Sequence, residues 1–169
     1  MSEQSTVMIY TDGACIGNPG PGGYGVVLVT EGKRKELSAG YRLTTNNRME
    51  LLAVIAGLQA LRGQCVVTVV SDSQYVVNGL KQGWAKRWRS RGWMRTSTEP
   101  AINADLWDQL LTLYEAHDVT MQWVKGHAGH TENERCDRLS VNAARGTDLA
   151  EDHGYLHPTL PTRKATATE

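Results

Sequence analysis

Two apolar, β-leaning runs in this chain each lead into an aspartate, and that repetition constrains the fold more than any other feature. Val7-Met8-Ile9-Tyr10-Thr11 precedes Asp12, and Gly13 is expected to break the strand. Cys65-Val66-Val67-Thr68-Val69-Val70-Ser71 leads into Asp72 in the same way. One Asp-Gly after a strand is ordinary turn chemistry. Two strands with the same ending point to a sheet edge that collects carboxylates, and the carboxyl ends of strands are where open α/β sheets place ligands. A carboxylate is costly there unless a cation meets it.

The segments between them supply the rest of an α/β fold. Residues 26–30 and 35–41 read as a hairpin turning near Glu31-Gly32-Lys33, so the first three strands are antiparallel neighbours. Gly20-Pro21-Gly22-Gly23-Tyr24-Gly25 matches G-x-G-x-x-G formally. That motif requires a helix next, and Val26-Val27-Leu28-Val29 reads as strand, which excludes a dinucleotide site. The glycines of residues 13–22 are instead expected to form a loop that brings backbone N–H groups close to a ligand.

Thr44-Thr45-Asn46-Asn47 carries helix-cap chemistry. In the helix that follows, to about residue 61, Leu51, Val54, Ile55 and Leu58 share one face. Glu50 lies about 100° from Leu51, at the margin of that face. The helix crosses over to the strand at 65–71. If that strand pairs in parallel with the first, Asp12 and Asp72 end at one edge.

Farther on, a short helix is expected at 73–79 and a basic, Trp-bearing helical segment at 80–95. An amphipathic helix follows at 103–117, with Trp107, Leu110, Leu111 and Tyr114 on one side, then a fifth strand at 119–123. Lys125-Gly126-His127-Ala128-Gly129-His130 reads as a loop. Thr131-Glu132-Asn133-Glu134 reads as a capping box opening a helix with Cys136, Leu139 and Ala143 buried and Asp137 beside them. Residues 1–149 are expected to form one catalytic domain. Residues 150–169 form a tail, disordered beyond about 156.

Charge narrows the partners. The formal net charge is zero, yet residues 73–98 hold six basic side chains and no acid, leaving 12 basic against 18 acidic residues elsewhere. A basic lobe on an acidic body suits a local polyanion contact. The three cysteines give neither a disulfide framework nor a zinc pattern. The short polar start, residues 1–6, is expected not to be a signal peptide, and no apolar run reaches membrane length. A reducing, cytoplasmic compartment is expected.

Asp12, Glu50, Asp72 and Asp137 are the candidate site, each next to apolar core positions. Four converging carboxylates repel one another unless divalent cations join them. Oxygen-only ligands suit Mg²⁺ or Mn²⁺ rather than zinc. A carboxylate-held metal pair about 4 Å apart is the device for in-line phosphoryl chemistry. His127, His130 and Cys136 lack zinc spacing. His127, in a Gly-flanked loop, reads better as a proton donor or acceptor.

Thr11-Asp12-Gly13-Ala14-Cys15 with Gly17-Asn18-Pro19-Gly20, Thr45-Asn46-Asn47-Arg48-Met49-Glu50, Asp72-Ser73-Gln74-Tyr75, Val124-Lys125-Gly126-His127 and Asn133-Glu134-Arg135-Cys136-Asp137 stand in the order of one family. Over about residues 7–155 the chain resembles bacterial type 1 ribonuclease H. The resemblance implies a ribonuclease H-like α/β fold: a five-stranded mixed sheet, three antiparallel strands then two parallel, flanked by helices, with a basic handle. It implies endonucleolytic cleavage of the RNA strand of RNA–DNA hybrids, leaving 5′-phosphate and 3′-hydroxyl ends, by a monomer using two Mg²⁺ ions, for which Mn²⁺ can substitute.

By the same resemblance Asp12 bridges both metals, Asp137 helps hold the ion that activates water, and Glu50 and Asp72 hold the ion facing the leaving oxygen. His127 assists proton transfer or product release. Cys15, Asn18, Asn46, Asn47 and Gln74 meet the minor groove and RNA 2′-hydroxyls, the groups that distinguish RNA from DNA. Thr45 and Asn103 grip a DNA-strand phosphate. Trp84, Lys86, Arg87, Arg89 and Arg91 belong to the handle. Leu43 stands where the family often has a basic residue, so Arg42 is left out of the site. A non-catalytic nucleic-acid binder would not need four inward acids. A resolvase- or transposase-like nuclease would not need the 2′-hydroxyl loop.

Overall fold

The computed structural model describes residues 5–126 and 128–162. Its strands are β1 (Ser5–Cys15), β2 (Gly20–Thr30), β3 (Lys33–Thr44), β4 (Cys65–Ser71), β5 (Asp118–Trp123) and β6 (Leu149–Ala150). Its helices are α1 (Asn46–Gln59), α2 (Gln74–Lys81), α3 (Trp84–Ser90), α4 (Ala104–Ala116), α5 (Thr131–Ala144) and α6 (His153–Leu156). The sheet order is β5-β4-β1-β2-β3-β6. The expected five-stranded mixed sheet is present: β1–β3 are antiparallel, and β4 and β5 extend it in parallel. The two-residue β6 adds a parallel edge to β3.

The β1–β4 register places the carboxylates. Parallel pairing ends at Tyr10 opposite Val70. Asp12 and Asp72 each lie two residues beyond that pair and so emerge at one height. One expectation is corrected here. Gly13 does not end β1, which runs to Cys15 because β2 keeps pairing with it as far as Gly22. Gly13 serves packing: a Cβ there would lie 2.5 Å from the Glu50 backbone nitrogen. Its lack of a side chain lets α1 begin against β1 and sets Glu50 beside Asp12.

The glycine-rich stretch is likewise strand rather than ligand loop from Gly20 onward. Along β2 the faces alternate. Val26 and Leu28 join the core shared with α1, whereas Gly23 and Gly25 lie under α5. A Cβ at Gly23 or Gly25 would come within 2.4 Å of the Ser140 or Cys136 carbonyl. The glycines thus let α5 rest directly on the sheet.

Thr45 caps α1 by accepting the Arg48 N–H. Leu51, Val54, Ile55 and Leu58 are buried as their spacing predicted, along with Glu50. α5 departs from expectation at its start. His130 is its N-cap, and no side chain caps it, so Thr131 and Glu134 form no capping box. Its most buried positions are Cys136, Ser140 and Ala144.

The handle is not one helix. α2 and α3 are separated at Gly83, whose φ of 77° is left-handed, and the helix ends at Ser90. Gly tolerates that conformation without strain. Trp88 packs edge-on against Trp107 of α4 at 6.2 Å between ring centroids. The boundary expected at residue 149 falls inside β6. Beyond it Asp152 is buried and caps α6. The tail beyond residue 162 lies outside the described residues. Among the described residues no helix is long and apolar enough to cross a membrane.

Candidate active site

One oxygen from each of Asp12, Glu50 and Asp72 lies within 4.8 Å of the others. β1, the second turn of α1 and the residue just past β4 deliver them. Gly13 N–H donates to Asp12 Oδ1 at 2.9 Å. Asp72 is framed by its surroundings: Trp123 Nε1 donates to its carbonyl at 3.1 Å, and Val124 N–H to the Ser71 carbonyl at 3.0 Å. A Cβ on Gly126 would come 2.8 Å from Asp72 Oδ2, so the loop after β5 lies against this carboxylate.

The fourth acid arrives on α5. The Cys136 thiol donates to the Tyr10 carbonyl at 3.2 Å, which ties the helix to β1 two residues before Asp12. Burial pushes that thiol up to about 12, so it stays protonated and unreactive. Asp137, the next residue, lines a cavity of about 20 Å³ with Asp12 and Asp72. Asn133 and Glu134, one turn earlier, and the exposed His130 line it as well. His127 lies outside the described residues.

Crowding shows in the acidities. Burial, then Asp72 and Asp137, raise Asp12 to about 8. Burial, then Asp12 and Asp72, hold Glu50 well above the ordinary carboxyl range. Glu50 Oε2 is buried with no hydrogen-bond partner. Such an atom is expensive to desolvate unpaired. A hard divalent cation would relieve both the orphaned oxygen and the mutual repulsion, so this donor set fits the metal the sequence called for.

The other candidates occupy two further surfaces. Asn18, Thr45, Asn47 and Asn103 line a cleft of about 780 Å³, together with Gly154, Tyr155, Pro158, Thr159 and Leu160. Asn46 N–H donates to Asn18 Oδ1 at 3.1 Å, joining the β1–β2 turn to α1. The half-buried Cys15 thiol is 3.4 Å from the Gly20 and Thr44 carbonyls. Gln74 is exposed at the start of α2. In the handle Lys86, Arg87 and Arg91 are exposed and Trp84 half-buried. Arg89 is engaged elsewhere, in a two-bond pair with Glu115 at 2.8 Å.

Arg48 stands within one of the ordered motifs without a role that its position assigns. It is 2% exposed and holds Asp105 and Asp152 with bonds of 2.7–3.0 Å. An arginine inside an otherwise capped, apolar helix was the available signal, but its partners lie 57 and 104 residues away.

Comparison with known proteins agrees with this geometry. The RNase H family profile matches residues 4–145. A ribonuclease H of Desulforamulus reducens is 63% identical over 146 residues, covering 86% of this chain and 92% of that one. One from Syntrophus aciditrophicus is 62% identical over 90% of this chain and 88% of its own. Among solved structures, LC9-RNase H1, a type 1 RNase H with the type 2 active-site motif, superposes with a TM-score of 0.76 at 34% identity, covering 85% of this chain and 74% of that one. LC11-RNase H1, solved in complex with an RNA/DNA hybrid, gives a TM-score of 0.63 at 26% identity over 82% of this chain and 96% of its own. With the family profile matched over residues 4–145 and ribonucleases H at 62–63% identity covered over about nine tenths of their length, this chain belongs to the ribonuclease H family.

Proposed function

We propose that this chain is an endoribonuclease that hydrolyses the RNA strand of RNA–DNA hybrids, leaving 5′-phosphate and 3′-hydroxyl ends, with Asp12, Glu50, Asp72 and Asp137 holding two Mg²⁺ ions. The observation that carries the reading is the buried carboxylate cluster with the unpartnered Glu50 Oε2. Bound divalent cations supply Lewis-acid activation of water and neutralise charge at the scissile phosphate. The chain's own residues do the remainder. Asp12, central to the cluster, fixes the reacting centre relative to the sheet. Asp137, on the helix tied to β1, borders the same cavity. The His127 imidazole takes or returns a proton near the product. Asn18, Asn46, Asn47, Gln74 and the backbone at Cys15 orient the hybrid through its minor groove. Thr45 and Asn103 contact the DNA strand. The exposed handle cations attract phosphates.

The activity belongs to the packed unit from β1 to α6, which includes the buried Asp152 beyond residue 149. The free thiols of Cys15, Cys65 and Cys136 suit a reducing, cytoplasmic compartment. A hybrid labelled along its RNA strand, a double-stranded RNA and a double-stranded DNA are incubated with the protein in Mg²⁺ or in EDTA. Cleavage of the hybrid RNA alone, only with Mg²⁺, is expected. Equal cleavage of either homoduplex, or activity in EDTA, sinks the reading.

A further inference from the structure

The buried Arg48 network reaches a residue of the cleft, and there its geometry has a functional consequence. The guanidinium donates to both Asp105 oxygens at 2.9 and 2.7 Å and to both Asp152 oxygens at 3.0 and 2.8 Å. Asp152 Oδ2 also accepts from the Thr44 hydroxyl at 2.7 Å. Burial alone would raise the Asp152 carboxyl, but its bonds to Arg48 and Thr44 outweigh that and hold it below its ordinary value. One positive charge thus faces two negative ones. Arg48 has no surplus charge to offer a phosphate, and any effect it has on a polyanion must pass through another group.

That group is Asn103. Arg48 Nη1 also donates to Asn103 Oδ1 at 3.2 Å. A guanidinium has no acceptor, so the Asn103 amide can take only the orientation with its oxygen toward Arg48. On the other side Asn103 Nδ2 donates to the Tyr75 hydroxyl at 3.2 Å, and Trp107 Nε1 donates to the same oxygen at 2.9 Å. One Nδ2–H then remains without a partner among the described residues, on a side chain that lines the cleft. Asn103 is further held by its left-handed backbone, with φ of 62°, a conformation asparagine tolerates better than most residues. Thr45 behaves alike. Its oxygen accepts the Arg48 backbone N–H at 3.3 Å, leaving the hydroxyl hydrogen free for the same cleft.

We infer that Arg48 is a positioning residue for substrate binding: with Tyr75 it clamps the Asn103 amide so that this side chain turns an N–H donor, rather than its oxygen, toward a phosphodiester of the DNA strand. The inference rests on Asn103 contacting that strand. Without the clamp the amide flips freely, and half of its orientations turn an acceptor oxygen toward a phosphate. The two carboxylates bind the guanidinium so firmly that it stays a fixed reference for the amide.

A double-mutant cycle on hybrid cleavage tests it. Arg48→Lys keeps the charge but cannot span both carboxylates and the amide. Steady-state KM and kcat are measured in Mg²⁺ for wild type, Arg48→Lys, Asn103→Ala and the double variant, with thermal midpoints alongside. A hydrogen bond to a charged group is lost in Asn103→Ala, so KM should rise roughly tenfold or more. Arg48→Lys should raise KM severalfold with kcat near wild type. The double variant should be no worse than Asn103→Ala. A merely structural arginine gives another pattern: a lower midpoint with unchanged KM, or KM effects that multiply. Either overturns the inference. An unchanged KM in Asn103→Ala overturns the DNA-strand contact itself, which separates the two failures. Should Arg48→Lys not fold, Tyr75→Phe releases the other side of the amide. Its KM effect must likewise vanish in the Asn103→Ala background, and independent effects sink the clamp.

Discussion

Asp12 loses water on entering the β1–α1 junction and then faces Asp72 and Asp137, and both effects favour its neutral form. Asp12→Asn is therefore expected to leave the metal-free protein at least as stable as wild type while abolishing cleavage. Urea denaturation in EDTA and a cleavage assay in Mg²⁺ check the two halves, and near-normal turnover would remove Asp12 from the centre of the mechanism. His127→Ala is expected to slow turnover without abolishing it, since a positioned acid–base group contributes roughly 10²–10⁴-fold. A role in product release would leave single-turnover rates less affected than steady-state ones. Wild-type values in both assays would leave His127 without a part in the reaction.

Between elements, two contacts decide behaviour in different ways. α5 lies so close to β2 that a methyl at Gly25 would sit 2.4 Å from the Cys136 carbonyl. A backbone atom cannot step aside as a side-chain tip can. Gly25→Ala should cost about 1–3 kcal/mol through overpacking, lower the thermal midpoint by several degrees, and reduce activity by shifting Asp137. Calorimetry showing an unchanged midpoint would contradict the packing described. In the handle, Arg89 is bound to Glu115 whereas Lys86, Arg87 and Arg91 are exposed. Replacing those three with Ala should flatten the slope of log K against log salt by about two units, at about 0.7–0.9 per phosphate contact. KM should rise most at low salt, with kcat little changed. Arg89→Ala should hardly alter that slope. If Arg89 dominates it instead, the pair with Glu115 opens on binding.

For the whole molecule, the carboxylates make opposite demands on pH. Asp12 has a folded value of about 8 against an ordinary 3.8. The folded state therefore holds its proton more tightly, and that contribution, complete below about 4, is lost as pH rises toward 8. Asp152 is lowered through Arg48 and Thr44, so its contribution is present above its unfolded value and lost as pH falls through the folded one. The metal-free protein should be most stable in mildly acidic solution. Addition of Mg²⁺ should restore stability near pH 8, because cations bound to the folded state favour it. Denaturation midpoints from pH 3 to 9, with EDTA or Mg²⁺, check this. Asp152→Asn should remove part of the acid limb alone, and Asp12→Asn part of the alkaline decline. A flat profile in EDTA would mean the acids are not crowded as described.

Local pattern was enough to show the two aspartate-ended strands, the apolar face of α1 and the acids beside it, because strand alternation and helical periodicity are written within a few residues of each other. The ordered motifs added the family and its chemistry. What the sequence could not state was which distant groups meet. The glycines after Asp12 look like loop chemistry until α5 is laid on β2, where the close approach of two backbones explains Gly23 and Gly25. Gly83 marks a weak point in the basic segment, but only the fold shows that it takes a left-handed φ and parts α2 from α3. Arg48 has no role that the sequence assigns until Asp105, Asp152 and Asn103 close around it. The carboxylate cluster likewise exists only once the parallel register of β1 and β4 levels Asp12 with Asp72. Side-chain identity is local, whereas burial, and the shift in acidity it brings, belongs to the packed whole.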